Sequence, residues 1–169
     1  MPPTSRDIAA RAGVSPRLIF HHFDDLDGLH AAVGALLAER FGKLALHVPQ
    51  ELPLTTRIEF TVSLRARIFE SLGNLLRNVT VLAPSNPGMA AKLAETQEMM
   101  LDVLETTFDP ELELSGLGRK SLLAVLDIAT SWPTWERLRT VNRLSVSSSR
   151  RVMCQMLQTA LSQLERVPN

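Results

Sequence analysis

Tyrosine is absent from this chain, cysteine occurs once, at Cys154, and aromatic residues make up only 5%. A single thiol excludes an internal disulfide framework and fits a reducing interior, so a cytoplasmic location is expected. No apolar run approaches the ~18 uninterrupted residues of a membrane span. The first residues lack a basic-then-apolar leader, so neither export nor membrane insertion is expected. Charge of one sign is lacking too, because 18 basic residues balance 18 acidic ones. Such a balance gives no global attraction to nucleic acid, although an average hides local patches. Glycine-rich phosphate loops, CxxC pairs and HExxH are missing, and no set of nucleophile, base and orienter can be assembled. Neither catalysis nor a cofactor is expected, and Cys154, on an apolar-faced helix, reads as a packed small residue.

What is present is enough apolar material to fold. Apolar residues make up 45% of the 169 positions and charged residues 21%, which suits one or two small globular domains. The apolar positions recur at spacings of three and four, with no strand-like alternation and no internal repeat. An all-α fold is expected.

The densest local information lies in IAARAGVSPRLIFHHF, residues 8–23. Thr4 or Ser5 can cap a first helix, and Asp7 puts a carboxylate in its first turn, where the helix dipole favours it. Gly13 can stop that helix by entering the left-handed conformation. Ser15 can cap a second helix with Pro16 in its first position, where a missing N–H costs nothing. The result is a helix-turn-helix. Ile8, Ala9 and Ala12 on the first helix, with Val14, Ile19 and Phe23, form the expected inward stripe. Arg6 and Arg11 on the first helix and Pro16, Arg17, Phe20 and His21 on the second then face outward.

The run TSRDIAARAGVSPRLIFHHFDDLDGLHAAV resembles the DNA-binding segment of TetR-family transcriptional regulators, over about thirty residues from Thr4 to Val33. The resemblance implies that the helix beginning at Ser15 enters the major groove of double-stranded DNA. It assigns base contacts to Arg6, Pro16, Arg17 and Phe20, and backbone contacts to Ser5, Ser15, Leu18, His21 and His22. Three features depart from the family pattern. Phe20 stands where tyrosine is usual, and Leu26, among Asp24, Asp25 and Asp27, stands where lysine is usual. The family's first helix, which covers the inward stripe, is expected to be missing, because only Met1, Pro2 and Pro3 stand before Thr4. A metal site at His21 and His22 is not expected, because adjacent helical residues point about 100° apart. The aspartates with His30 read as a solvated helix start.

Beyond this segment, helices are expected over residues 25–47, 54–82, 87–108, 119–133 and 147–164, with a loop at 109–118 and a kink or stop at Pro133. A short helix is expected after Trp135, and Met153, Met156, Leu157, Ala160, Leu161 and Leu164 are expected on one side of the last helix. The domain boundary is placed near residue 46, giving a DNA-binding head over 1–46 and a regulatory and dimerisation domain over 47–169. The resemblance implies a homodimer formed through the last two long helices and a small-molecule effector between helices of the second domain. Phe60, Leu64, Phe69, Met89, Met99, Met100, Leu104, Trp132 and Trp135 are candidates for its lining, and the effector is expected to be largely apolar. The leading expectation is a repressor released from a palindromic operator. The departures named above leave an alternative, a dimeric ligand-binding or protein-interaction module that no longer binds DNA.

Overall fold

The computed structural model describes residues 4–22, 28, 32, 48–115 and 118–162. Among these residues the regular elements are helical and no strand occurs, as the spacing of apolar residues implies. The described helices are α1 (Ser5–Ala12), α2 (Pro16–His22), α3 (Leu54–Leu82), α4 (Pro87–Thr107), α5 (Asp109–Glu113), α6 (Arg119–Ala129), α7 (Trp132–Thr140) and α8 (Val146–Ser162). A single 3-10 turn, Ala83–Ser85, separates α3 from α4. The helix expected over 25–47 lies outside the described residues, apart from Gly28 and Ala32, both helical. No helix among the described residues is long and apolar enough to cross a membrane.

The chain forms two compact units, one of Met1–Lys43 with Arg77–Gln97 and one of Leu44–Leu76 with Glu98–Asn169. In the first, α1 packs on α2. The same unit contains the start of α4, where the Asn86 side-chain oxygen accepts the Met89 N–H at 2.8 Å. Pro87 then occupies the first helical position, where its missing N–H is harmless.

The second unit holds the larger core. Ile58, Val62 and Ile68 of α3, Leu104 of α4, Leu122 and Leu126 of α6, and Met153 and Leu157 of α8 are all buried. Each fully buried aliphatic side chain contributes about 1.5–3 kcal/mol. Residues of α3 are buried on more than one face, which follows from its apolar residues covering much of its circumference. The Trp132 indole packs beside Gly73, where a Cβ would lie 3.4 Å from the ring, an ordinary van der Waals contact.

Local structure departs from the sequence expectations in four places. The loop expected at 109–118 begins with the short helix α5, which has Asp109 and Glu111 in its first turn and Pro110 near its start. The helix from Arg119 ends at Ala129, short of Pro133. The proline instead lies near the start of α7, behind the Ser131 cap, whose hydroxyl accepts the Thr134 N–H at 3.4 Å. Proline therefore begins a helix here rather than bending one. The last helix starts at Val146, because the Ser145 hydroxyl accepts the Ser148 N–H at 3.1 Å. Finally, the apolar residues of α8 do not share one buried stripe. Met153, Leu157 and Leu161 are buried, whereas Met156 is exposed on an adjoining flank and Ala160 is half-buried there.

Candidate nucleic-acid interface

The helix-turn-helix is built from caps. Thr4 and Asp7 close a capping box: the Thr4 N–H donates to Asp7 Oδ2 at 2.8 Å, and the Asp7 N–H donates to Thr4 Oγ1 at 3.3 Å. The Thr4 hydroxyl donates to the same carboxylate oxygen at 2.6 Å. These hydrogen bonds favour the ionised carboxylate and hold the Asp7 pKa below its ordinary value. At the other end of α1, Gly13 adopts φ 70°, ψ 25°, and the Val14 N–H returns to the Ala9 carbonyl at 3.0 Å. Ser15 Oγ then accepts the Leu18 N–H at 3.2 Å and starts α2.

These caps fix which way α2 turns its side chains. Ile19 is buried, as is Ala9 of α1, while Pro16, Arg17, Leu18 and His21 are exposed. Arg6 and Arg11 of α1 are exposed, Ser15 is exposed in the turn, and Ser5 is half-buried. The side chains of Phe20 and His22, and all of Phe23, lie outside the described residues. Two members of the expected inward stripe are not inward: Ala12 is exposed and Val14 is 37% exposed. Among the described residues of this helix pair, Ala9 and Ile19 are the buried ones, and the flank carrying Ala12 and Val14 stays open.

Among residues 4–22, Arg6, Arg11 and Arg17 face one carboxylate, that of Asp7. The local balance is therefore basic although the chain is neutral. A guanidinium can donate two parallel hydrogen bonds to the edge of guanine, and the apolar surface of Pro16 suits a thymine methyl. Chemically, the exposed side of α2 can both hold phosphate and read bases.

The nine residues considered as effector lining are mostly buried. Leu64, Phe69, Met100, Leu104 and Trp135 are buried within the second unit, and Met89 within the first. Met99 and Trp132 are half-buried, and Phe60 is exposed. Phe69 meets Trp132 edge-on at 5.7 Å between ring centroids and Trp135 at 6.2 Å. The Trp135 indole N–H donates to Glu70 Oε1 at 3.0 Å.

Two grooves of the second unit lie along α8. One, of about 550 Å³, is lined by Val125, Ile128 and Ala129 of α6 and by Val152, Met156 and Ala160 of α8. The other, of about 790 Å³, runs between α3 and α8, past Phe60, Ser63, Arg150, Arg151 and Cys154. Burial raises the pKa of the Cys154 thiol, with the Glu59 charge adding to the effect, so the group stays neutral and poorly nucleophilic.

Sequence reasoning missed two buried arginines, Arg57 and Arg65. Their signal was a charged residue at core spacing: Arg65 stands one turn from Thr61 and one from Ile68, both buried.

Residues 3–33 match the family described as bacterial regulatory proteins, tetR family. No curated protein and no solved structure matches the chain.

Proposed function

We propose, from the match of residues 3–33 to bacterial regulatory proteins of the tetR family, that the chain is a DNA-binding transcriptional regulator, a homodimeric repressor released from a palindromic operator by a small molecule. The carrying observation is the division of α2. Ile19 anchors it inward while Arg17, Leu18 and His21 stand exposed on a helix whose start is fixed by Ser15. In this reading, Arg6, Pro16, Arg17 and Phe20 meet bases, and Ser5, Ser15, Leu18, His21 and His22 meet the backbone. Residues 1–46 form the reading head and residues 47–169 the regulatory and dimerisation part.

One small head covers too few base pairs for high specificity, whereas a two-fold pair reads two half-sites. The apolar groove between α6 and α8 supports pairing through these helices. It exposes Val125, Ile128 and Met156, a surface suited to burial against its own copy. Effector binding then shifts the population toward a conformation in which the two heads no longer match the half-site spacing.

The test is binding of the full chain to operator fragments selected from random DNA, read by fluorescence anisotropy over a salt series. A steep fall of affinity with salt is expected. Negligible binding that salt does not change would favour the dimeric module without DNA binding, the reading to which Leu26 and the neighbouring aspartates point.

A further inference from the structure

The groove between α3 and α8, of about 790 Å³, lies within the second unit. Clefts that hold small molecules usually measure roughly 300–1,000 Å³. Thr56, Phe60 and Ser63 of α3 stand three and four residues apart and line one wall. Ser147, Arg150, Arg151, Cys154 and Gln158 recur at helical spacing on α8 and line the other.

The two walls differ in charge. α8 contributes two guanidinium groups, whereas the carboxylate of the lining is that of Glu59 on α3. Arg150 donates from Nη2 to the Ser63 hydroxyl across the groove, and neither arginine is paired with a carboxylate among the described residues. Both are exposed, so an incoming anion reaches them without breaking a buried ion pair. The hydroxyls of Ser63 and Ser147 and the amides of Gln155 and Gln158 add further donors to the same lining. Cys154 is half-buried there, and burial keeps its thiol neutral. Two cations against one carboxylate, with a surplus of donors, select an anion. Phe60, 38% exposed, adds an aromatic surface that a bare inorganic ion would leave unused.

We propose that this groove binds a small organic acid, its carboxylate held by Arg150 and Arg151 and its apolar body laid on Phe60. The inference deepens the reading of residues 47–169 as the regulatory part, and rests on it for any effect on operator release. Binding itself stands on the lining of the groove. The expected effector thereby changes from a largely apolar molecule to one that also carries an acidic group.

Cys154 is the one cysteine of the chain, so its alkylation by N-ethylmaleimide reports on the groove in the full chain. Three probes are compared: 1-naphthaleneacetate, the uncharged 2-(1-naphthyl)ethanol, and acetate. Naphthaleneacetate should slow alkylation at concentrations at least about tenfold below those the alcohol needs, the effect expected of a charge-assisted hydrogen bond. Acetate should give no protection at those concentrations. Arg151→Gln, which breaks no hydrogen bond among the described residues, should lower the preference for the acid, and the double variant with Arg150→Gln should bring the acid down to the level of the alcohol. Phe60→Ala should weaken both naphthyl probes. No protection by millimolar naphthaleneacetate, equal protection by the alcohol or by acetate, or a preference that survives the double substitution overturns the proposal. So does a double variant that melts well below the wild type, since the arginines would then be structural ties. Protection is read without DNA, so such a failure leaves the reading of α2 as a DNA reader standing, and a failure of operator binding leaves this site standing.

Discussion

Arg57 and Glu111 meet as a two-pronged ion pair, with Nη1 to Oε2 at 2.7 Å and Nη2 to Oε1 at 2.5 Å, and both side chains are largely shielded from water. The guanidinium also lies 5.7 Å from the centroid of the Phe108 ring. This joins the start of α3 to α5 within the second unit. Glu111→Gln leaves the arginine with a weaker acceptor and should cost about 3 kcal/mol, as for a broken buried pair. Urea denaturation of the two proteins, with equal slopes, checks it.

On the reading head, Arg17→Ala should weaken operator binding by about 1–3 kcal/mol and relax discrimination at one base pair of each half-site. Competition anisotropy at fixed salt, with operators mutated one position at a time, reads both effects. If the loss were uniform across all operators, Arg17 would be a phosphate contact rather than a base contact.

The Thr4–Asp7 capping box predicts how α1 responds to acid. Hydrogen bonds from Thr4 hold the Asp7 pKa below its ordinary value of 3.8. A depressed folded-state pKa means that the stabilisation is fully present above 3.8 and is lost as the pH falls through the lower folded value. The Cα chemical shifts of Ser5–Ala12 should therefore move toward coil values only below that point. In Asp7→Asn this acid step should vanish.

The groove between α6 and α8 predicts an effect on assembly. Ile128 is 63% exposed at its rim. Ile128→Asp should weaken dimerisation by at least about tenfold, since a carboxylate would have to be buried in an apolar interface. Sedimentation velocity over a concentration series gives the answer, and circular dichroism should show unchanged helicity.

Ser149 is fully buried in α8, and its hydroxyl has no partner among the described residues. Ser149→Ala removes an uncompensated polar group and should raise stability by about 1 kcal/mol. A drop in melting temperature would mean that the hydroxyl holds a water.

What could be read in advance follows from range of interaction. The caps at Thr4, Gly13 and Ser15 act over two to four residues, and each stands where its own chemistry implies. The bounds of α3 were equally legible, since Pro53 precedes it and prolines follow it. α5 was not, because its stability draws on distant side chains. Glu111 is held by Arg57, and Arg119 binds Asp109 at 2.6 Å, Glu113 at 2.6 Å and Glu105 at 3.0 Å. Burial at Ala12 and Val14 was misjudged for the same reason, since periodicity names a face but not the width of what covers it. On the candidate interface, the outward positions of Arg6, Pro16, Arg17 and His21 could be seen from spacing alone, whereas Leu18 entered only through the resemblance. The hydrogen bond of Arg65 to the Met100 carbonyl could not be seen, because that depends on which carbonyl of α4 lies opposite.

Gly13 carries one more consequence. A Cβ added there would meet nothing within 4 Å, so the position is roomy, yet its φ of 70° is one that side-chain-bearing residues rarely adopt. Substitution is limited by backbone torsion alone. Asparagine, which visits the left-handed region most readily among residues with side chains, is the expected tolerated replacement, whereas valine, no larger a misfit in volume, should abolish the turn. Drift at this position is thus filtered by conformational preference rather than size, and a deep mutational scan of the head should rank residues at 13 by their left-handed propensity.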